Sequence, residues 1–215
     1  MTTQLLRLNN RLGIRLFGIV LSAVMLFVAA EPARAEQRPD TILRETVDQL
    51  LAELDSNRST LTADKCQLYS LVNRLVLPQF AVDKISRLIL GKHFQAASTD
   101  LRNRFTRAFM DLMIRTYATA MFEYTGQEEI EYLPFVLDES ARTALVQTRV
   151  RVPGQVPVPV DYAFLRIVDG RWQIYDVRLD GISLVLSYRR SYDQIIQSKG
   201  LEALVHALET QDTDC

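Results

Sequence analysis

The sequence predicts an α+β fold, in which a curved four-stranded antiparallel sheet carries helices on its apolar face. Two changes of period predict it. Apolar residues recur at helical spacing over residues 36–125, alternate over 130–179, and return to helical spacing over 181–210. Consecutive strands with no helix between them favour an antiparallel meander, which can have one apolar and one polar face.

In the first helical block, Leu43, Val47, Leu50, Leu51 and Leu54 share one face. Asp64 can cap a second helix carrying Leu68, Leu71, Val72 and Leu75, and Pro78 ends it. Val82, Ile85, Leu88 and Ile89 form a short third helix before Gly91. Ser98, Thr99 and Asp100 offer a cap for a long fourth. That fourth helix carries two apolar stripes. Leu101, Phe105, Ala108, Phe109, Leu112, Thr116 and Ala120 form one; Met110, Ile114, Tyr117, Met121 and Tyr124 form the other, with Met113 between them. One stripe is ordinary core. Two require two apolar neighbours, either a second packed layer or a ligand, and methionine suits an adaptable lining.

The alternating block begins with a strand over Ile130 to Leu137. In the next, Thr143 to Val152, residues Ala144, Val146, Thr148, Val150 and Val152 point one way, and Gln147, Arg149 and Arg151 the other. Val158, Val160, Tyr162 and Phe164 repeat the pattern, and Asp169-Gly170 turns the chain into a strand with Trp172 and Ile174. The apolar phase then slips to Val177 and Leu179, which places a bulge near Tyr175-Asp176. The closing block predicts a helix over Ile182 to Ser198, a break at Gly200 and a short terminal helix.

The first 35 residues form a different kind of segment. Arg7, Arg11 and Arg15 precede an uncharged run from Leu16 to Ala30, and Ala33-Arg34-Ala35 follows as a small-x-small signal. That order matches a secretory leader cleaved after Ala35. The run of 15 residues reaches only ~22 Å as a helix, short of the about 20 residues needed to span a bilayer core. The mature chain, residues 36–215, is expected to be one soluble domain, by default a monomer. It carries 21 basic and 25 acidic residues, a net charge of −4. That balance leaves no footprint for nucleic acid and argues against strong electrostatic docking on anionic lipid. Export permits a disulfide between Cys66 and the terminal Cys215. The alternative is a buried Cys66 beside a loose chain end.

Catalytic candidates are few. His93 and His206 have no partner pattern, and no nucleophile elbow, zinc-binding HExxH, phosphate loop or dinucleotide fingerprint occurs. Paired Cys/His spacing for a metal is also absent. Asp176 and Tyr162 are the titratable groups that an enzyme on a cone-shaped sheet-and-helix scaffold would use on a lipophilic substrate. A structural role for Asp176, such as pairing with Arg178 or a cross-strand arginine, competes with that use.

Leu88-Ile89-Leu90-Gly91-Lys92-His93-Phe94 is followed by Phe105 to Phe109 and by Arg115-Thr116-Tyr117-Ala118. Later come Tyr175-Asp176-Val177, Gly181-Ile182-Ser183-Leu184-Val185, Tyr188-Arg189 and Lys199-Gly200-Leu201. In this order and spacing they resemble the MlaC, or toluene-tolerance, family over about Thr41 to Leu208. The resemblance implies a deep hydrophobic cavity and a soluble, non-catalytic periplasmic carrier of phospholipid, with no cofactor. It implies exchange between an inner-membrane ABC-transporter complex bearing MCE domains and an outer-membrane lipoprotein–porin complex, maintaining outer-membrane lipid asymmetry. A chaperone for lipoproteins is the other binding function to weigh. The cysteines and the Pro153-Gly154-Gln155-Val156-Pro157 loop stand outside the family pattern.

The alternation assigns the expected lipid-binding wall. The sheet supplies Val146, Val150, Val160, Tyr162, Phe164, Trp172 and Ile174. The long helix supplies Phe105, Phe109, Leu112, Met113 and Tyr117, and Ile182 and Val185 close one side. Each is equally suited to packed core, and about half are expected to meet ligand.

Overall fold

Pro39 opens the first helix, where its missing N–H costs nothing. α1 spans Pro39–Ser56, α2 Arg58–Ala63 and α3 Lys65–Leu75. The computed structural model describes residues 37–118, 121, 125–211 and 215. The expected leader and its cleavage signal therefore lie outside the described residues, as do Ala120 and Tyr124. Residues 36–215 cluster as one unit.

Asp64 caps α3 as its position predicts, accepting the Cys66 N–H at 2.9 Å. A 3-10 turn over Leu77–Gln79 follows, with Pro78 inside it. α4 is Val82–Leu90, α5 the short His93–Ala96 and α6 the long Thr99–Ala118. α4 stops at Gly91, whose φ of +53° disfavours any side chain. A Cβ there would also sit 3.1 Å from the Arg189 guanidinium. α7 is Leu184–Lys199 and α8 is Leu201–Glu209. Arg104 on α6 ties α8 down by donating to Glu209 at 2.9 and 2.7 Å and to Glu202 at 2.6 Å.

The expected four strands are five. β1 Glu129–Tyr132, β2 Thr143–Arg151, β3 Val158–Arg166, β4 Trp172–Leu179 and β5 Ile182–Ser183 form an antiparallel meander in chain order. The extra strand comes from capping. Ser183 must be extended for its Oγ to accept the Leu186 N–H at 3.1 Å, so α7 starts at Leu184 rather than Ile182. The two residues before the helix then pair with Leu179 and Arg178. β1 stops short of Leu137: its last bond to β2 is from the Leu133 N–H to Gln147 O, and Pro134 follows. The bulge lies where the phase slip puts it. Ala163 faces Asp176 and Phe164 faces Ile174, which leaves Tyr175 unpaired. Thr148 sits in an otherwise apolar row because its hydroxyl donates to Val160 O at 2.8 Å.

Three separate apolar clusters hold the elements together. One joins α4, α6, α7 and α8 around Phe105, Phe109 and Val205. A second joins α1, α2, α3 and the end of α6 around Leu68, Leu71 and Ile114. The third packs Ile42 and Leu43 of α1 onto Val146, Phe164, Trp172 and Ile174 of the sheet. Phe80 bridges to the sheet opposite Ile174, and the next N–H, of Ala81, bonds Ile174 O at 2.8 Å. Cys66 and Cys215 form a disulfide with Cα atoms 5.4 Å apart.

Candidate functional site

Where the three clusters would merge there is a hollow instead. Its volume is about 330 Å³. At the ~30 Å³ that a water molecule takes up in the liquid, that is about 11 water-sized places. A methylene group needs about the same room as a water molecule, so the space takes the greater part of one fatty acyl chain.

Every layer contributes to the wall. α1 supplies Ile42, Leu43, Thr46, Val47 and Leu50, and α3 with the following turn supplies Val72, Val76, Leu77 and Gln79. α6 supplies Phe109, Met110, Met113, Ile114, Tyr117 and Ala118, and Met121 follows it. The sheet gives Val160, Tyr162, Ile174, Val177 and Leu179, and α7 closes the side with Leu184, Val185 and Tyr188. Met110, Ile114, Tyr117 and Met121 of the second stripe face this space and Phe109 of the first reaches it, while Leu101, Phe105, Ala108 and Leu112 of the first belong to the cluster with α7 and α8.

The few polar wall groups are occupied or unreactive. The Thr46 hydroxyl donates back to Ile42 O at 2.7 Å, leaving its methyl for the cavity. Asp176 is buried, and its Oδ1 accepts the Val185 N–H at 3.1 Å in the first turn of α7. With Ser183 it satisfies two of that helix's free donors, and its charge suits the positive end of the helix dipole. This replaces the expected pairing with an arginine: Arg178 faces Asp161 in the ladder instead. Burial, with the neighbouring Tyr132, pushes the Tyr162 phenol up to about 12. Burial also raises Tyr188 to about 12, and the adjacent Tyr117, which hydrogen-bonds it, adds to the shift. Both phenols are therefore neutral near pH 7, and neither supplies a base.

The histidines lie away from the wall. His93 Nε2 is 2.6 Å from Asp193 Oδ1, which Lys92 also approaches at 3.1 Å, and His206 is exposed on α8. Among the described residues no group of three or more His, Cys, Asp and Glu side chains is placed to hold a metal. No helix of the described residues is long and apolar enough to cross a membrane. What the hollow can do chemically is exclude water from an apolar ligand.

Of the residues assigned from the sequence, Phe109, Met113, Tyr117, Val160, Tyr162, Ile174 and Val185 line the cavity. The others lie elsewhere. Phe105 is fully buried, stacked on Phe109 at 5.7 Å and edge-on to Tyr192 at 6.1 Å, and Leu112 packs against the same cluster. Val146, Phe164 and Trp172 are sealed beneath α1, because the sheet's apolar face runs further than the hollow beside it. Val150 pairs with Ile130 and Val158 beyond the wall, and Ile182 is exposed in β5. The sequence assignment missed the α1 wall altogether. Its signal was the spacing of Leu43, Val47 and Leu50, which marks an apolar face without showing what covers it.

A family model described as MlaC protein matches residues 44–210. The chain is 22% identical over 195 residues to the intermembrane phospholipid transport system binding protein MlaC of Haemophilus influenzae, covering 90% of this chain and 91% of that protein. It is 26% identical over 188 residues to the toluene tolerance protein ttg2D of Pseudomonas putida, covering 86% of each. Among solved structures, it is similar to the phospholipid-binding protein of Ralstonia solanacearum in complex with a phospholipid. The TM-score is 0.72 at 23% identity, over 78% of this chain and 93% of that one. At that identity the likeness is one of fold.

Proposed function

The chain belongs to the MlaC family, and from that premise we propose that its cavity carries the acyl chains of a phospholipid across the periplasm. The hollow between the three clusters carries this reading, because its wall is overwhelmingly apolar and its volume takes the greater part of an acyl tail. Its relatives are named for intermembrane phospholipid transport and for toluene tolerance, and the structural neighbour holds a phospholipid. The need for such a carrier is physical. Two tails of about 15 methylenes, at about 0.8 kcal/mol each, would cost roughly 24 kcal/mol bare in water. A sheath that removes most of that cost needs no strong hold on the headgroup.

The carrier works without catalysis: the one wall carboxylate caps a helix, and the Tyr162 and Tyr188 phenols are protonated. It is exported by its leader and acts as a monomer. It exchanges lipid with an inner-membrane ABC-transporter complex bearing MCE domains and with an outer-membrane lipoprotein–porin complex, maintaining outer-membrane asymmetry. Native mass spectrometry of protein purified from periplasm, followed by lipid extraction, tests this. About one phospholipid per chain on a monomer is expected, since the described residues enclose one such apolar hollow. Empty protein, or acylated protein in place of free phospholipid, would refute it.

A further inference from the structure

The apolar face of the sheet outruns its helical cover at one end. Val160 and Leu179 are paired wall residues. Each has a neighbour on the same face that lies outside. Val158, two residues before Val160, is 44% exposed, and Ile182, paired with Leu179, is 64% exposed. Beside them stand Val156, at the tip of the β2–β3 connection and 85% exposed, and Leu186, in the first turn of α7 and 50% exposed. The Asp180 N–H bonds Pro159 O at 3.0 Å, so the two connections are held side by side. Tyr117, a wall residue, is 37% exposed. Arg190 follows Leu186 by one helical turn and has no ion-pair partner among the described residues. Arg178, opposite Asp161 and Ser183, lies by alternation on the reverse face of the sheet.

We propose that this rim is a contact surface for a phospholipid bilayer, touching it while the cavity stands open to the membrane. The proposal rests on the carrier reading for its purpose but on the rim alone for its geometry. Four exposed aliphatic side chains on a hairpin tip and a turn are far fewer than the roughly 20–30 residues a side of a stable protein interface. A membrane interface does accept scattered apolar side chains flanked by cations. The net negative charge of the mature chain keeps the contact transient, with the apolar side chains as its main attraction. A tail passing between wall and bilayer through such a rim stays out of water.

Sedimentation with sucrose-loaded vesicles tests it, using full-length mature protein and vesicles of phosphatidylcholine alone or mixed equally with phosphatidylglycerol. The wild type is expected to sediment with both. I182S/L186S is expected to bind about tenfold less or weaker, with unchanged circular dichroism and unchanged co-purifying lipid. R190Q is expected to lose only the gain from phosphatidylglycerol. A wild type that ignores both vesicles, which would point to a protein partner at the rim, overturns the proposal. So does I182S/L186S binding as well as wild type. Vesicle binding by a protein that never carries lipid would uphold the rim and refute the carrier.

Discussion

Val177→Trp should shorten the ligand. Val177 is half-buried on β4, paired with Tyr162, and faces the hollow. A strand accepts tryptophan readily, so the indole can enter empty space without disturbing the sheet. The change adds about seven carbon-sized atoms, more than half of the about 11 places that the 330 Å³ provides. About seven methylenes would be displaced into water at about 0.8 kcal/mol each, or 5–6 kcal/mol. At 1.4 kcal/mol per factor of ten, affinity for the original ligand falls by about four powers of ten. Competition between acyl chain lengths, read by lipid extraction and mass spectrometry, should show occupancy collapsing or shifting to shorter tails. Circular dichroism should remain that of wild type. A folded variant holding the same lipid at undiminished occupancy would show that tails do not use this space.

Three further outcomes follow from the geometry. Cys215→Ser removes a cross-link between residues 149 apart in sequence, which the chain-entropy model values at about 5 kcal/mol; guanidinium unfolding should show a lower midpoint that no longer responds to reductant. Asp176→Ala should destabilise by about 1–3 kcal/mol, since the Val185 N–H loses its buried acceptor, while lipid transfer per folded molecule persists; loss of transfer in a stable Asp176→Asn protein would favour the enzyme reading. His93 first, then Lys92, hold the Asp193 carboxyl below its ordinary range. A depressed folded pKa stabilises above the unfolded value of about 3.9 and stops doing so as pH falls through the folded one. The stability difference between wild type and Asp193→Asn should therefore vanish in acid, as pH falls through the folded pKa, as measured by urea unfolding across pH.

Period alone placed the helices, the meander and the bulge. The Asp64 cap, the Gly91 stop and the Tyr175 irregularity are local events, governed by a side chain within a few residues, so the sequence displays them. The wall was harder. Phe105 and Leu112 belong to the stripe that packs mainly on α7 and α8, while Met110 and Ile114 belong to the stripe facing the hollow. Both stripes use the same residue types at the same spacing, and only the arrangement of three clusters tells which one is uncovered. Thr148 and Asp176 show the same limit. Their partners, Val160 O and the Val185 N–H, are brought near by strand pairing and helix placement.

The bond between Cys66 and Cys215 turns most of the molecule into a covalent ring. Every strand and every helix from α4 onward lies on that ring, and so does nearly all of α3. A protease nick in any loop within it would leave both pieces in one molecule until a reductant is added. α1 and α2 lie outside. The helix that lays Ile42, Val47 and Leu50 over the cavity therefore lies outside the ring and joins it from its C-terminal side. Among the described wall helices it is the one whose position the cross-link does not constrain.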